Sequence, residues 1–93
     1  MNTLVKNAIG TSRWSQPSTG ESSWLEFWEN HVGYKATRCG AVDCRSYSDL
    51  VGAHVQKIGG DGRIYITPLC RGCNQRTDTF WVCTELVPVP SRL

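Results

Sequence analysis

The sequence predicts a small α+β domain organised around a four-cysteine metal site, with an amphipathic helix towards its N-terminus and a strand towards its C-terminus. Three observations predict it. Cys39, Cys44, Cys70 and Cys73 form two closely spaced pairs, two β-rich runs joined by a glycine turn lie between the pairs, and Ser23-Trp24-Leu25-Glu26 opens an aromatic stripe of helical period. The 93 residues make a single domain, with a helical N-terminal extension (1–33), a metal-binding core (34–77) and a C-terminal strand and tail (78–93). A chain this short buries only about 60 to 70 per cent of its unfolded surface, so a metal that binds the folded form alone is a natural source of stability.

The cysteine spacing carries most of the weight. Zn²⁺ takes four tetrahedral ligands, and Cys70-x2-Cys73 can reach one ion from a tight turn. Cys39-x4-Cys44 lies at the upper end of that spacing, and residues 45–69 give the chain room to leave the ion and return. Two disulfides, or reduced structural cysteines, are the alternatives. Five cysteines is an odd number and Met1-Asn2-Thr3-Leu4-Val5-Lys6 has no secretory character, which points to a reducing, cytoplasmic setting and so to metal. Cys83, within Phe80-Trp81-Val82-Cys83, reads as a buried apolar residue.

In order along the chain, Leu4, Val5, Ala8 and Ile9 have the spacing of a helical turn that Gly10 would end, and 14–20 reads as a loop. Ser23 and Glu26 form a capping box, so a helix starts there. Trp24, Phe27, Trp28 and His31 share one face of it, with His31 a favourable last-turn residue and Gly33 the stop. Residues 34–37 suit a short strand into the first cysteine turn. Residues 50–56 and 63–67 read as a hairpin around Gly59-Gly60-Asp61-Gly62, 70–77 as a helix whose N-terminal dipole favours thiolates, and 78–87 as a strand ended by Pro88 and Pro90.

No apolar run approaches the ~20 residues of a membrane span, which predicts no membrane partner. The net charge of +2 is uninformative, but its distribution is not. Residues 35–76 hold seven Lys and Arg against three Asp, a local +4, while the segments on either side are each −1. Arg38, Arg45, Lys57, Arg63, Arg71 and Arg76 are therefore candidates for contacts to the phosphates of DNA or RNA. The same arginines would also offset the formal −2 of a zinc tetrathiolate. Trp14, Trp24, Trp28 and Trp81 serve either as core or, where exposed, as a protein-contact surface.

Two cysteine turns separated by a hairpin resemble a treble-clef zinc finger. More narrowly, Gly52-Ala53-His54-Val55 followed by Ile66-Thr67-Pro68-Leu69-Cys70-Arg71-Gly72-Cys73-Asn74 resembles the ββα-metal core of HNH endonucleases with a four-cysteine zinc, over roughly residues 36–77. The resemblance implies His54 as general base on the water that attacks phosphorus, Asn74 at the position of the final His or Asn, and Mg²⁺ or Mn²⁺ as catalytic ion beside the structural Zn²⁺. Ala53 stands where the family has Asp, and Tyr65 where it has Asn, so the catalytic motif is incomplete and a hard oxygen ligand is lacking. The other reading of His54 is a packed hairpin residue. Three functions follow: an HNH-type nuclease, a nucleic-acid-binding module without chemistry, or an inactive zinc module for protein contact.

Overall fold

A computed structural model of the chain describes residues 2–9, 17 and 19–90. These residues form one helix and one five-stranded antiparallel sheet. In chain order these are β1 (Thr3–Asn7), α1 (Trp24–Val32), β2 (Leu50–Lys57), β3 (Ile64–Cys70), β4 (Phe80–Val82) and β5 (Val87–Pro88), with a single 3-10 turn at Cys73–Gln75 between β3 and β4. The sheet order is β4-β1-β2-β3-β5.

The hairpin β2–β3 is the longest ladder, with Leu50 opposite Cys70 and Gln56 opposite Ile64. Side chains alternate between its faces, and the two faces do different work. Ala53, Val55 and Leu69 point to one face, where they join Val5, Phe80 and Val82 in a core that also contains Cys39, Ala41 and Cys73. His54 and its cross-strand partner Ile66 point to the other, which α1 covers with Trp24, Phe27 and Trp28. Each large side chain buried there contributes about 1.5 to 3 kcal/mol.

The helix begins where the sequence predicts. Ser23 Oγ accepts from the Glu26 N–H at 3.1 Å, and Gly33 closes the other end in the left-handed conformation. Glu26 reaches one residue further back than a capping box requires, accepting from the Ser22 N–H at 2.7 Å. Its docking depends on Gly52. A Cβ there would lie 2.4 Å from both Leu25 N and Trp24 C, so only glycine lets the helix backbone rest on β2.

Several expectations are corrected. Leu4 and Val5 lie in β1, a strand between β4 and β2, because only Val5 faces the core and the ladders on both sides satisfy the backbone. Residues 34–37 join no ladder, as the Glu29 carboxylate takes the Ala36 N–H at 2.9 Å. The helix expected over 70–77 is replaced by the end of β3 and one 3-10 turn, and the strand over 78–87 is split into β4 and β5. Cys83 is exposed because β4 places Phe80 and Val82 inward, leaving Trp81 and Cys83 outward. The expected stop at Gly10 and most of the loop over 14–20, Trp14 included, lie outside the described residues. No helix among the described residues is long and apolar enough to cross a membrane.

Candidate metal centre

The two cysteine turns meet. Cys39, Cys44, Cys70 and Cys73 bring their sulfurs within 4.8 Å of one another, and Cys44 Sγ lies 3.8 Å from Cys70 Sγ. Tetrahedral bonds of ~2.3 Å put neighbouring sulfurs about 3.8 Å apart, so the donor set fits a single thiophilic ion. A disulfide between Cys44 and Cys70 would need ~2.05 Å.

The first turn is shaped by backbone hydrogen bonds. Cys39 N–H donates to Ser46 O at 2.8 Å, and Ser46 N–H approaches Cys44 Sγ at 3.5 Å. The segment 40–42 then behaves as an additional edge: Gly40 N–H donates to Pro68 O of β3, Cys83 N–H donates to Gly40 O, and Val42 N–H donates to Trp81 O beside β4. Ala41 forms a bridge with Val82. This stitch joins β3 to β4 and rolls the sheet around the first core. It requires glycine at 40, where a Cβ would sit 2.2 Å from Thr84 Oγ1 and 2.9 Å from Pro68 O.

The second turn is held from β1. Asn7 Nδ2 donates to Cys73 O at 2.9 Å and to Arg76 O at 3.0 Å. The thiols differ electrostatically. Cys70 is pulled down to about 7, chiefly by the N–H of Cys73 and then by the neighbouring thiols, whereas burial pushes Cys39 and Cys73 up. A bound cation reverses that penalty, since it binds the thiolate and expels the proton.

His54 lies on the opposite face of the sheet from the cysteines. Its ring meets Trp24 edge-on, with centroids 4.9 Å apart, and burial lowers its pKa to about 4. The imidazole is neutral throughout the physiological range and a weak proton acceptor. Asn74 is exposed in the 3-10 turn, which Asn7 holds on the cysteine side, so the fold does not bring it to His54. Tyr65 pairs with Val55 and joins the cysteine-side core, again the face away from His54. Of the aspartates, Asp43 binds Arg76 at 2.8 Å and Asp61 caps the hairpin turn through the Arg63 N–H.

The basic residues separate into three groups. Arg76 is committed internally: it chelates Asp78 at 2.7 and 2.9 Å, pairs with Asp43 and stacks on Phe80 at 4.4 Å. Lys57, which lies over the Tyr65 ring at 4.6 Å, and Arg63 occupy the far end of the hairpin. Arg38, Arg45 and Arg71 each adjoin a cysteine of the site, namely Cys39, Cys44 and Cys70, and all three are exposed with no ion pair among the described residues. Asn7 and Thr84 were not singled out by the sequence, and nothing local marks them, because Asn7 acts on distant carbonyls and Thr84 pairs with the distant Thr67 hydroxyl.

No family model, curated protein or solved structure matches the chain. The HNH resemblance therefore rests on the residues quoted for it, and the four-cysteine site stands on its own geometry.

Proposed function

We propose that this chain is a zinc-stabilised module that binds nucleic acid and does not cut it. Zinc suits four thiolates in tetrahedral array better than the other common ions. The observation that carries the reading is that Arg38, Arg45 and Arg71, each next in sequence to one of the clustered cysteines, are exposed and unpaired among the described residues. Three guanidinium groups exceed the formal −2 of the tetrathiolate and leave a positive rim suited to phosphates.

The absence of cleavage is supported by the low basicity of His54 and by its separation from Asn74 across the sheet. Of the reading inherited from the HNH resemblance, the scaffold of two cysteine turns and a hairpin is retained and the chemistry is not.

Binding of the zinc-loaded protein to labelled DNA and RNA, measured by anisotropy between about 50 and 200 mM salt, tests the proposal. The slope of log K against log salt should approach −3 for duplex, roughly −0.9 per phosphate contact, and should shrink by about one for each of Arg38→Ala, Arg45→Ala and Arg71→Ala. Affinity indifferent to salt, or no binding, refutes it. Plasmid cleavage with Mn²⁺ that is lost in His54→Ala would restore the nuclease.

A further inference from the structure

The outer surface of β1 and β4, beyond the reach of α1, carries an apolar row. The ladder registers place Leu4 opposite Trp81, and the bonds from Val42 N–H to Trp81 O and from Ile58 N–H to Leu4 O extend the row at both ends. Val42, Trp81, Leu4 and Ile58 thus lie side by side across the strands. Trp81 is 52% exposed, Val42 44% and Ile58 42%, with Leu4 half-buried among them. An indole left half exposed on a sheet is an expensive use of the residue most suited to stacking.

The next row on the same face holds Lys6, Gln56 and Ile64, and neither row contains a carboxylate. Lys6, Gln56 and Ile58 also line a shallow pocket of about 290 Å³ with Lys57, Gly59 and Gly60. The Lys6 ammonium and a glycine turn form a seat for an anion next to the aromatic surface, while the Lys57 ammonium lies on the other face over Tyr65. Lys6 is one diagonal step from Trp81 across the β1–β4 pair, ~7 to 8 Å between side-chain origins, which is of the order of the separation between a base and its own phosphate.

We infer that this face seats a single-stranded nucleic-acid segment, with one base stacked on Trp81 and its phosphate at Lys6 beside the glycine turn. A duplex hides its base faces, whereas an unpaired strand offers them to an aromatic side chain beside basic groups. The inference deepens the nucleic-acid reading above, on which it rests for the class of ligand, but it uses none of the arginines at the metal rim.

The test uses the zinc-loaded full chain with an unstructured oligothymidylate and a duplex hairpin of equal charge. The single strand should quench tryptophan fluorescence, and Trp81→Ala should weaken its binding roughly five- to a hundredfold, from about 1 to 3 kcal/mol per stacked base, while Trp81→Phe retains most of it. Lys6→Ala should lower the salt slope for the single strand. Unchanged melting temperatures identify these as binding effects, because Trp81 and Lys6 are exposed. Undiminished single-strand binding by Trp81→Ala, with loss only in the arginine variants, overturns this inference and leaves the rim reading intact; loss in Trp81→Ala with unaltered arginine variants does the reverse. Concentration-dependent self-association abolished by Trp81→Ala, without any effect on nucleic acid, assigns the face to a second copy and overturns it too.

Discussion

Asn7 in β1 grips the second cysteine turn 66 residues away, donating from its side-chain amide to Cys73 O and Arg76 O. Two carbonyls that a continuing helix would have used are satisfied by a strand side chain, and the turn stops after one 3-10 cycle. Asn7→Ala forfeits both bonds and should cost about 2 kcal/mol at roughly 1 kcal/mol each. Asn7→Asp should cost more, since a carboxylate faces the two carbonyls without a donor. Urea midpoints of the metal-loaded variants measure this, and an unchanged midpoint would show that the clamp is idle.

Gly40→Ala should disrupt the stitch between β3 and β4. Its Cβ meets both a side-chain hydroxyl and a backbone oxygen, and only the first can move. The cost should lie at or above the ~1 to 3 kcal/mol of ordinary overpacking. Thr84→Ala on the same chain should recover part of the loss but not all, because Pro68 O remains. Full recovery would mean that the hydroxyl alone sets the contact.

Metal removal should collapse the first core, whose walls include Cys39 and Cys73. A structural zinc supplies on the order of 10 to 16 kcal/mol in small peptides, more than a domain of this size holds in reserve. Chelation should therefore abolish the near-ultraviolet tryptophan signal together with most β structure. Metal analysis should return about one ion per chain, and Co²⁺ substitution should give the absorption of a tetrahedral thiolate site. Retention of the native spectrum after complete chelation would assign the cysteines to packing.

His54 ties stability to pH. Its pKa falls from 6.5 in the unfolded chain to about 4 on burial, so the unfolded state takes up the proton first as pH drops. The stabilising contribution is complete above about 6.5 and is lost progressively towards about 4. Acid also protonates the cysteines, so the informative quantity is the difference between wild-type and His54→Gln unfolding curves. The wild type should fall more steeply with acid across that window. Parallel curves would show that the imidazole is hydrated when folded.

Ser23→Ala should remove the cap that Glu26 N–H donates to, at a cost of about 1 kcal/mol. Thermal melts monitored by far-ultraviolet dichroism check it. No change would place helix stability entirely in the packing of Trp24, Phe27 and Trp28.

The parts legible in the sequence were those specified by neighbours in the chain. Ser23, Glu26 and Gly33 bound the helix, and the glycine turn at 59–62 sets the hairpin register. The two cysteine pairs announced their meeting by spacing alone. What escaped was decided by distant partners. Leu4 and Val5 have no alternating pattern strong enough to declare a strand, and β1 exists because β2 and β4 close on both its edges. The turn after Cys70 has helical composition, yet Asn7 captures its carbonyls. Cys83 follows an apolar run, but the inward placement of Phe80 and Val82 turns it outward. The separation of His54 from Asn74 and Tyr65 is likewise a matter of which sheet face each occupies.

The stitch between β3 and β4 also constrains how the protein is made. Residues 40–42 dock against Pro68, Trp81 and Cys83, while the first strand waits for both Lys57 and Val82 to arrive. A chain emerging from the ribosome cannot complete either junction until residue 83 has been translated. Truncation shortly before Cys83 should therefore leave the polypeptide open to proteolysis even with all four clustered cysteines already present.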